Sequence, residues 1–374
     1  MREQSTVGIG VGRSGTVFIG SAVVLALTLL SVAASPASAE TRGYVISWFA
    51  TATNNPDFVR NCPQESKDPN RVKYVFGMGL TAEGGRGRYH AVVDGKAVPP
   101  LNYPDAAKED ADWEPVVGKY AYGFDLGGPE ANQFIDPDTH QKADNQLWRA
   151  LGCNFIFQAT PPRAPYFQEE AWMNFIDSSP GWAIEVSGAD LSKDGPVTVT
   201  LDRTLRHPER DALGGLRADV TYVLDPAPRS HNVLSGEIKQ GVLTIKPGTI
   251  YIEGDMTWYS ELDLRNAHMR MHSEPGKLVG YWGGYTNWHR WVYQCTSRPA
   301  SECDGVGFYR ALEKFADADP DPVTGKNRSI STTWRLEAVP AFLATTDGKV
   351  VASASGAGLG GVTHAPTVAA DTAH

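Results

Sequence analysis

Glu261-Leu262-Asp263-Leu264 alternates acid with leucine, and on a strand residues two apart share a face. Glu261 and Asp263 would then project together, as paired-carboxylate acid–base chemistry needs. The competing reading is an ordinary strand with solvated acids. His268-Met269-Arg270-Met271-His272 carries imidazole and thioether, donors that suit copper. A strand would separate them, with the histidines and Arg270 on one face and both methionines on the other. Residues 281–293 hold Trp282, Tyr285, Trp288 and Trp291 beside Asn287, His289 and Arg290. Exposed, these rings would stack on sugar faces and bind a glycan. Buried, they are core where a strand meets a short helix. Asp136, Asp138 and Asp144 offer closely spaced oxygens that could hold calcium, and Asp317, Asp319 and Asp321 form a second such loop. The EF-hand spacing is absent, and both loops also read as capped turns.

Glu261-Leu262-Asp263-Leu264-Arg265-Asn266 resembles part of the E-x-D-x-x-E signature of laminarinase-type retaining glycosidases, which are jelly rolls. The resemblance implies a nucleophile at Glu261. It also implies an acid/base at position 266, where Asn266 cannot donate and recover a proton as a carboxylic acid does. Residues 144–153 and 321–327 resemble segments of exported bacterial proteins that carry no assigned activity, which implies a compartment and no mechanism. From residue 40 onward there is no G-x-S-x-G, H-E-x-x-H or P-loop. A Ser-His-Asp triad needs no sequence proximity and stays open.

The first 39 residues read as an export leader. Arg2 and Arg13 precede an apolar run from Val17 to Ala34, and Ala37-Ser38-Ala39 fits a small-residue cleavage site. The mature chain is expected to begin at Glu40, outside the cytoplasm and with no membrane span left. Retention of the apolar run as an anchor is the alternative. Cys62, Cys153, Cys295 and Cys303 then suggest two disulfides. Seven residues separate Cys295 from Cys303, so that pair closes a local loop and leaves Cys62 with Cys153. With 34 Lys and Arg against 43 Asp and Glu, and no basic run, the chain is a poor nucleic-acid binder.

Alternating apolar runs must position these groups. They fall at 44–49, 72–78, 119–124, 182–186, 197–201, 220–224, 232–238, 242–245, 249–252, 262–271, 278–281 and 329–336. Helical periodicity is confined to 144–151, 167–176 and 304–316, and loops are expected at 63–71 and 99–113. The pattern predicts a mainly β protein, an antiparallel meander forming a jelly-roll-like sandwich with a few short helices. One β-rich domain is expected over 40–350, followed by a disordered low-complexity tail, 351–374. Three functions fit: non-catalytic binding of a glycan or envelope component, hydrolysis of a polysaccharide or ester, and periplasmic metal handling.

Overall fold

The computed structural model describes residues 39–52, 91–93, 96–98, 115–153, 179–253, 261–290, 308–354 and 358–361. By internal contacts the chain divides into Met1–Ala37 and Ser38–His374, and every described residue lies in the second unit. Outside the described residues fall the strand expected at 72–78, the helix at 167–176 and the loops at 63–71 and 99–113. So do nearly all of the leader, Trp291, Cys62, Cys295 and Cys303. Among the described residues no helix is long and apolar enough to cross a membrane.

Strand β1 (Glu40–Thr51) opens the fold, and small hairpins follow: β2 (Ala91–Val93) with β3 (Lys96–Val98), and β4 (Phe134–Ile135) with β5 (Lys142–Ala143). Helix α1 (Gln146–Leu151) comes next, capped by the Asn145 side chain on the Trp148 N–H. Then come β6 (Trp182–Gly188), β7 (Gly195–Arg203), β8 (Thr221–Val223), β9 (Asn232–Lys239), β10 (Val242–Ile245), β11 (Gly248–Glu253), β12 (Glu261–Glu274) and β13 (Lys277–Asn287). Helix α2 (Phe308–Phe315), β14 (Ala318–Pro320), β15 (Asn327–Pro340), β16 (Phe342–Ala344) and β17 (Val350–Ala354) follow, and a 3₁₀ turn (Leu359–Gly361) ends the described chain.

Sheet order is β1-β6-β7-β9-β10-β12-β13-β15, every neighbour antiparallel, and β15 returns to pair with β1. The meander is therefore an eight-stranded up-and-down barrel, which corrects the expected sandwich. Its interior is filled. Phe49, Trp182, Trp282 and Trp334 pack ring on ring, surrounded by Ile184, Val199, Leu201, Leu243, Leu264, Met269, Met271 and Leu336. Leu147 and Leu151 of α1 and Leu312 of α2 join the same core. Closure bends β13 tightly: a Cβ on Gly280 would collide with the Arg270 carbonyl on β12, so glycine is required there.

Two bulges set which side chains face in. In β1 the register slips at Ser47, so Tyr44 and Ile46 point inward, and so does Phe49. In β12 it slips between Arg265 and His268, with Asn266 at φ 47°. Leu262 and Leu264 face the core before that bulge, and Ala267, Met269 and Met271 face it after. Glu261, Asp263, His268, Arg270 and His272 therefore all lie on the outer surface, though their numbers differ in parity.

Two expectations need correction. Residues 119–124 make only isolated bridges, Tyr120 to Ile135 and Phe124 to Asp144, because this segment lies across the barrel wall instead of joining it. The tail does not begin at 351. Where β15 ends at Pro340, β17 takes over pairing with β1, through Arg42–Ser353 and Gly43–Ala354. Leu359 is buried in the main core, fixed by Leu359 N–H to Ser273 Oγ (2.8 Å) and Gly360 N–H to the Leu191 carbonyl (2.9 Å). One leucine among small residues suffices to anchor the stretch. Residues 362–374 lie outside the described residues.

Candidate functional site

An up-and-down barrel separates its connections by length. At one end β6–β7, β9–β10 and β12–β13 turn within a few residues. At the other end run the long connections from β1 to β6, β7 to β9 and β13 to β15. Near that second end, on the outer wall, lie Asp317 with Ser331, Glu261 with Arg229 and Arg290, and Asp202 with His231.

The first cluster lies under residues 115–153. Asp136, Asp144, Asn145 and Gln146 are all buried, and the wall beneath them presents buried Ser329 and Ser331. Asp136 Oδ1 accepts from the N–H groups of Asp138 (3.0 Å) and Thr139 (2.9 Å), and its Oδ2 accepts from Gly123 N–H (3.0 Å) and Arg270 Nη2 (2.9 Å). Asp321 repeats the turn, accepting from Val323 and Thr324 N–H. These Asp-Pro-x-Thr sequences are capped hairpin turns. Asp136, Asp138 and Asp144 do not converge on a cation. Arg270 already occupies the Asp136 carboxylate, Asp144 Oδ2 accepts the Leu126 and Gly128 N–H groups, and no group of three or more metal-binding side chains forms among the described residues. That removes the expected calcium ligand set. The His/Met segment likewise splits, with Met269 and Met271 in the core and His268 stacked on Phe124.

Asp317 sits beside the same layer, accepting from Ser331 N–H (2.8 Å) and Ser331 Oγ (2.7 Å). Burial pushes its carboxyl up to about 6, the Ser331 bonds oppose that, and the Asp144 charge adds to it. Tyr285 faces Asp317, Asp144 and Asp125, and its hydroxyl is driven upward by burial and then by those acids. The folded state thus holds the Asp317 proton more tightly than the unfolded chain, whose carboxyl keeps its ordinary 3.8. This contribution to stability is present below about pH 4 and is lost as pH rises through about 6. It amounts to roughly 2–3 kcal/mol. In denaturant titrations from pH 4 to 7.5, Asp317→Asn is expected to flatten the pH dependence by that amount. Parallel curves for wild type and variant would refute the assignment.

Trp282 is wholly buried in the barrel, and Trp288 is 2% exposed with its Nε1–H on the Asn327 carbonyl (2.8 Å). Neither ring can reach a ligand, so the core reading holds for both and the sugar platform loses them. Tyr285 is half-buried, its hydroxyl on the Leu126 carbonyl (3.3 Å). Glu261 and Asp263 do share the outer face. Glu261 is held by Arg229 (3.1 Å), by Arg290 and by the Tyr251 hydroxyl. A carboxylate clamped by two guanidinium groups is a poor nucleophile, and Asn266 turns its amide to the Leu126 carbonyl. Cys153 is buried and is not a free thiol, while its three possible partners lie outside the described residues.

One cluster was not foreseen. His231 follows a short 3₁₀ turn (Pro228–Ser230), and its Nδ1 lies 2.7 Å from Asp202 Oδ1. A carboxylate can only accept, so Nδ1 carries the proton and Nε2 is left as the base. The imidazole is 54% exposed and the Asp202 side chain 7%. Glu185 stands on the same outer face. It pairs with Thr200 while Asp202 pairs with Ala183, which makes the two acids diagonal neighbours about 7 Å apart between Cα atoms. Burial raises the Asp202 carboxyl, opposed by the His231 bond. Burial also raises the Glu185 carboxyl, and the Asp202 charge adds to it. Residues 185, 202 and 231 form no local motif. The only trace in the sequence is that each is a polar residue in or beside an otherwise apolar strand.

These observations define the molecule as a filled antiparallel β-barrel with a His–Asp pair and buried acids on its outer wall. No protein-family model, curated protein or solved structure matches the chain.

Proposed function

We propose that the chain is an exported hydrolase of carboxylic esters, with His231 as general base. The observation that supports this reading most is the 2.7 Å Asp202–His231 contact with a half-exposed imidazole. Asp202 holds the ring in one tautomer. Nε2 takes a proton from water, the resulting hydroxide oxygen attacks the ester carbonyl carbon, and the carbon–oxygen bond to the alcohol breaks. Glu185 gives its proton to the departing alkoxide, a role its raised pKa suits. The products are a carboxylic acid and an alcohol. Export rests on the leader at residues 1–39 and its small-residue cleavage site.

The experiment is a hydrolysis screen over p-nitrophenyl esters and acetylated polysaccharides with the mature protein, His231→Gln and Asp202→Asn. Turnover is expected to fall about a hundredfold or more in His231→Gln, with folding checked by circular dichroism. Undiminished turnover in that variant would sink the assignment. A wild type that retains a glycan yet hydrolyses nothing would return the function to binding of a glycan or envelope component.

A further inference from the structure

Arg229 lies on the turn that leads into His231, and its guanidinium carbon sits 4.4 Å over the Tyr251 ring, which orients the guanidinium plane. Nη2 of Arg229 reaches Glu261 Oε2 (3.1 Å), and Arg290 reaches Oε1 from the residues after β13. Glu261 is nearly buried, 13% exposed, while the two arginine side chains are 61% and 47% exposed. Each guanidinium carries five N–H donors, and each spends one nitrogen on Glu261. Both cations are thus held in position by a shared carboxylate, while among the described residues most of their donors meet no other acceptor. Asn232 ties this assembly to the His–Asp pair: its side chain donates to the Tyr251 carbonyl (2.8 Å) and accepts from Tyr251 N–H (2.7 Å). Arg229 and the Tyr251 hydroxyl thus meet on Glu261, and Asn232, the residue after His231, fixes the Tyr251 backbone.

We propose that Arg229 and Arg290 form a subsite for an oxyanion group (phosphate, sulfate or carboxylate) next to His231. Guanidinium forks match such groups in shape as well as charge. That the group belongs to the substrate rests on the hydrolase reading: the ester would carry an acidic group away from the bond that is cut. Asp263, the next outward residue on β12, is the nearby carboxylate that limits affinity for an anion.

The test follows arginine Nε–Hε signals by NMR during titration of the mature protein with inorganic phosphate, sulfate or acetate. Saturable shifts are expected for at least one of the three, and the tightest-binding identifies the group. Arg229→Gln and Arg290→Gln should each weaken binding about tenfold or more, and Asp263→Asn should strengthen it. No saturable shift with any anion, or equal binding by both arginine variants and wild type, would overturn the subsite. His231→Gln separates the two readings. Phosphate binding that persists while turnover is lost supports both. Turnover that persists in His231→Gln, with anion binding still dependent on the arginines, removes His231 as the base and leaves the subsite. A wild type with no turnover on any ester, with anion binding still dependent on the arginines, removes the hydrolase reading and leaves the subsite.

Discussion

Arg270→Ala is expected to cost about 3–5 kcal/mol of stability, read from the shift of the denaturant midpoint. Arg270 projects from β12 onto the outer wall. Its guanidinium carbon lies 5.5 Å from the ring centres of both Phe124 and Tyr281, and its Nη2 meets Asp136 Oδ2 at 2.9 Å. Asp136 is completely buried. Burial pushes its carboxyl up, but the Gly123 N–H and Arg270 outweigh that and leave it below the ordinary carboxylate range. Taking Arg270 away strands a buried charge, and this residual penalty is larger than the worth of the pair itself. Arg270→Lys should recover only part, since an ammonium cannot spread between two rings. Arg270→Met with Asp136→Asn should recover most, because both charges then go. A loss below about 1 kcal/mol in Arg270→Ala would mean that the pair behaves as a surface salt bridge and that residues 115–153 are held by other contacts.

Trp282→Ala is expected to cost a similar 3–5 kcal/mol, with Trp282→Phe clearly milder. The indole has no exposed surface. It stacks on Trp182 with ring centres 6.2 Å apart and meets Phe49 edge-on at 6.0 Å, while Phe49 stacks on Trp334 at 4.8 Å. Gly280 and Gly284 flank it on β13, and a Cβ on either would meet the backbone of β12, so the wall packs tightly beside the indole. Its neighbours are strands held in a closed barrel and cannot collapse into the void. The measurement is again the denaturant midpoint at unchanged slope. A loss below about 1 kcal/mol would show a loosely packed interior with room for a ligand.

Much of the local structure was legible because it is set by near neighbours in the chain. Alternation placed nearly all the barrel strands. The helical spacing over 144–151 placed α1, and the acidic loops read as capped turns are held at Asp136 and Asp321 by hydrogen bonds to residues two and three further on. The opposed faces of His268 and Met269, and the shared face of Glu261 and Asp263, followed from the two-residue period alone.

What the pattern left open depends on residues distant in sequence. Whether a meander folds into a sandwich or closes is settled by β1 meeting β15, two strands almost three hundred residues apart with no local signal for each other. The bulge at Asn266 is one residue out of step, yet it brings the acids of one half of β12 and the histidines of the other to the same surface. Trp282 and Trp288 had the composition of a sugar platform; closure buried Trp282, because a period-2 pattern tells which residues share a face but not whether that face meets water or another wall. The Leu359 anchor needed a hydrophobic end of the barrel to dock against. Asp202, His231 and Glu185 come together only because β6 and β7 are neighbours in the wall and the turn at 228–230 returns to them. Local chemistry therefore specified the strands and their faces, and the tertiary pairing alone decided which polar groups meet.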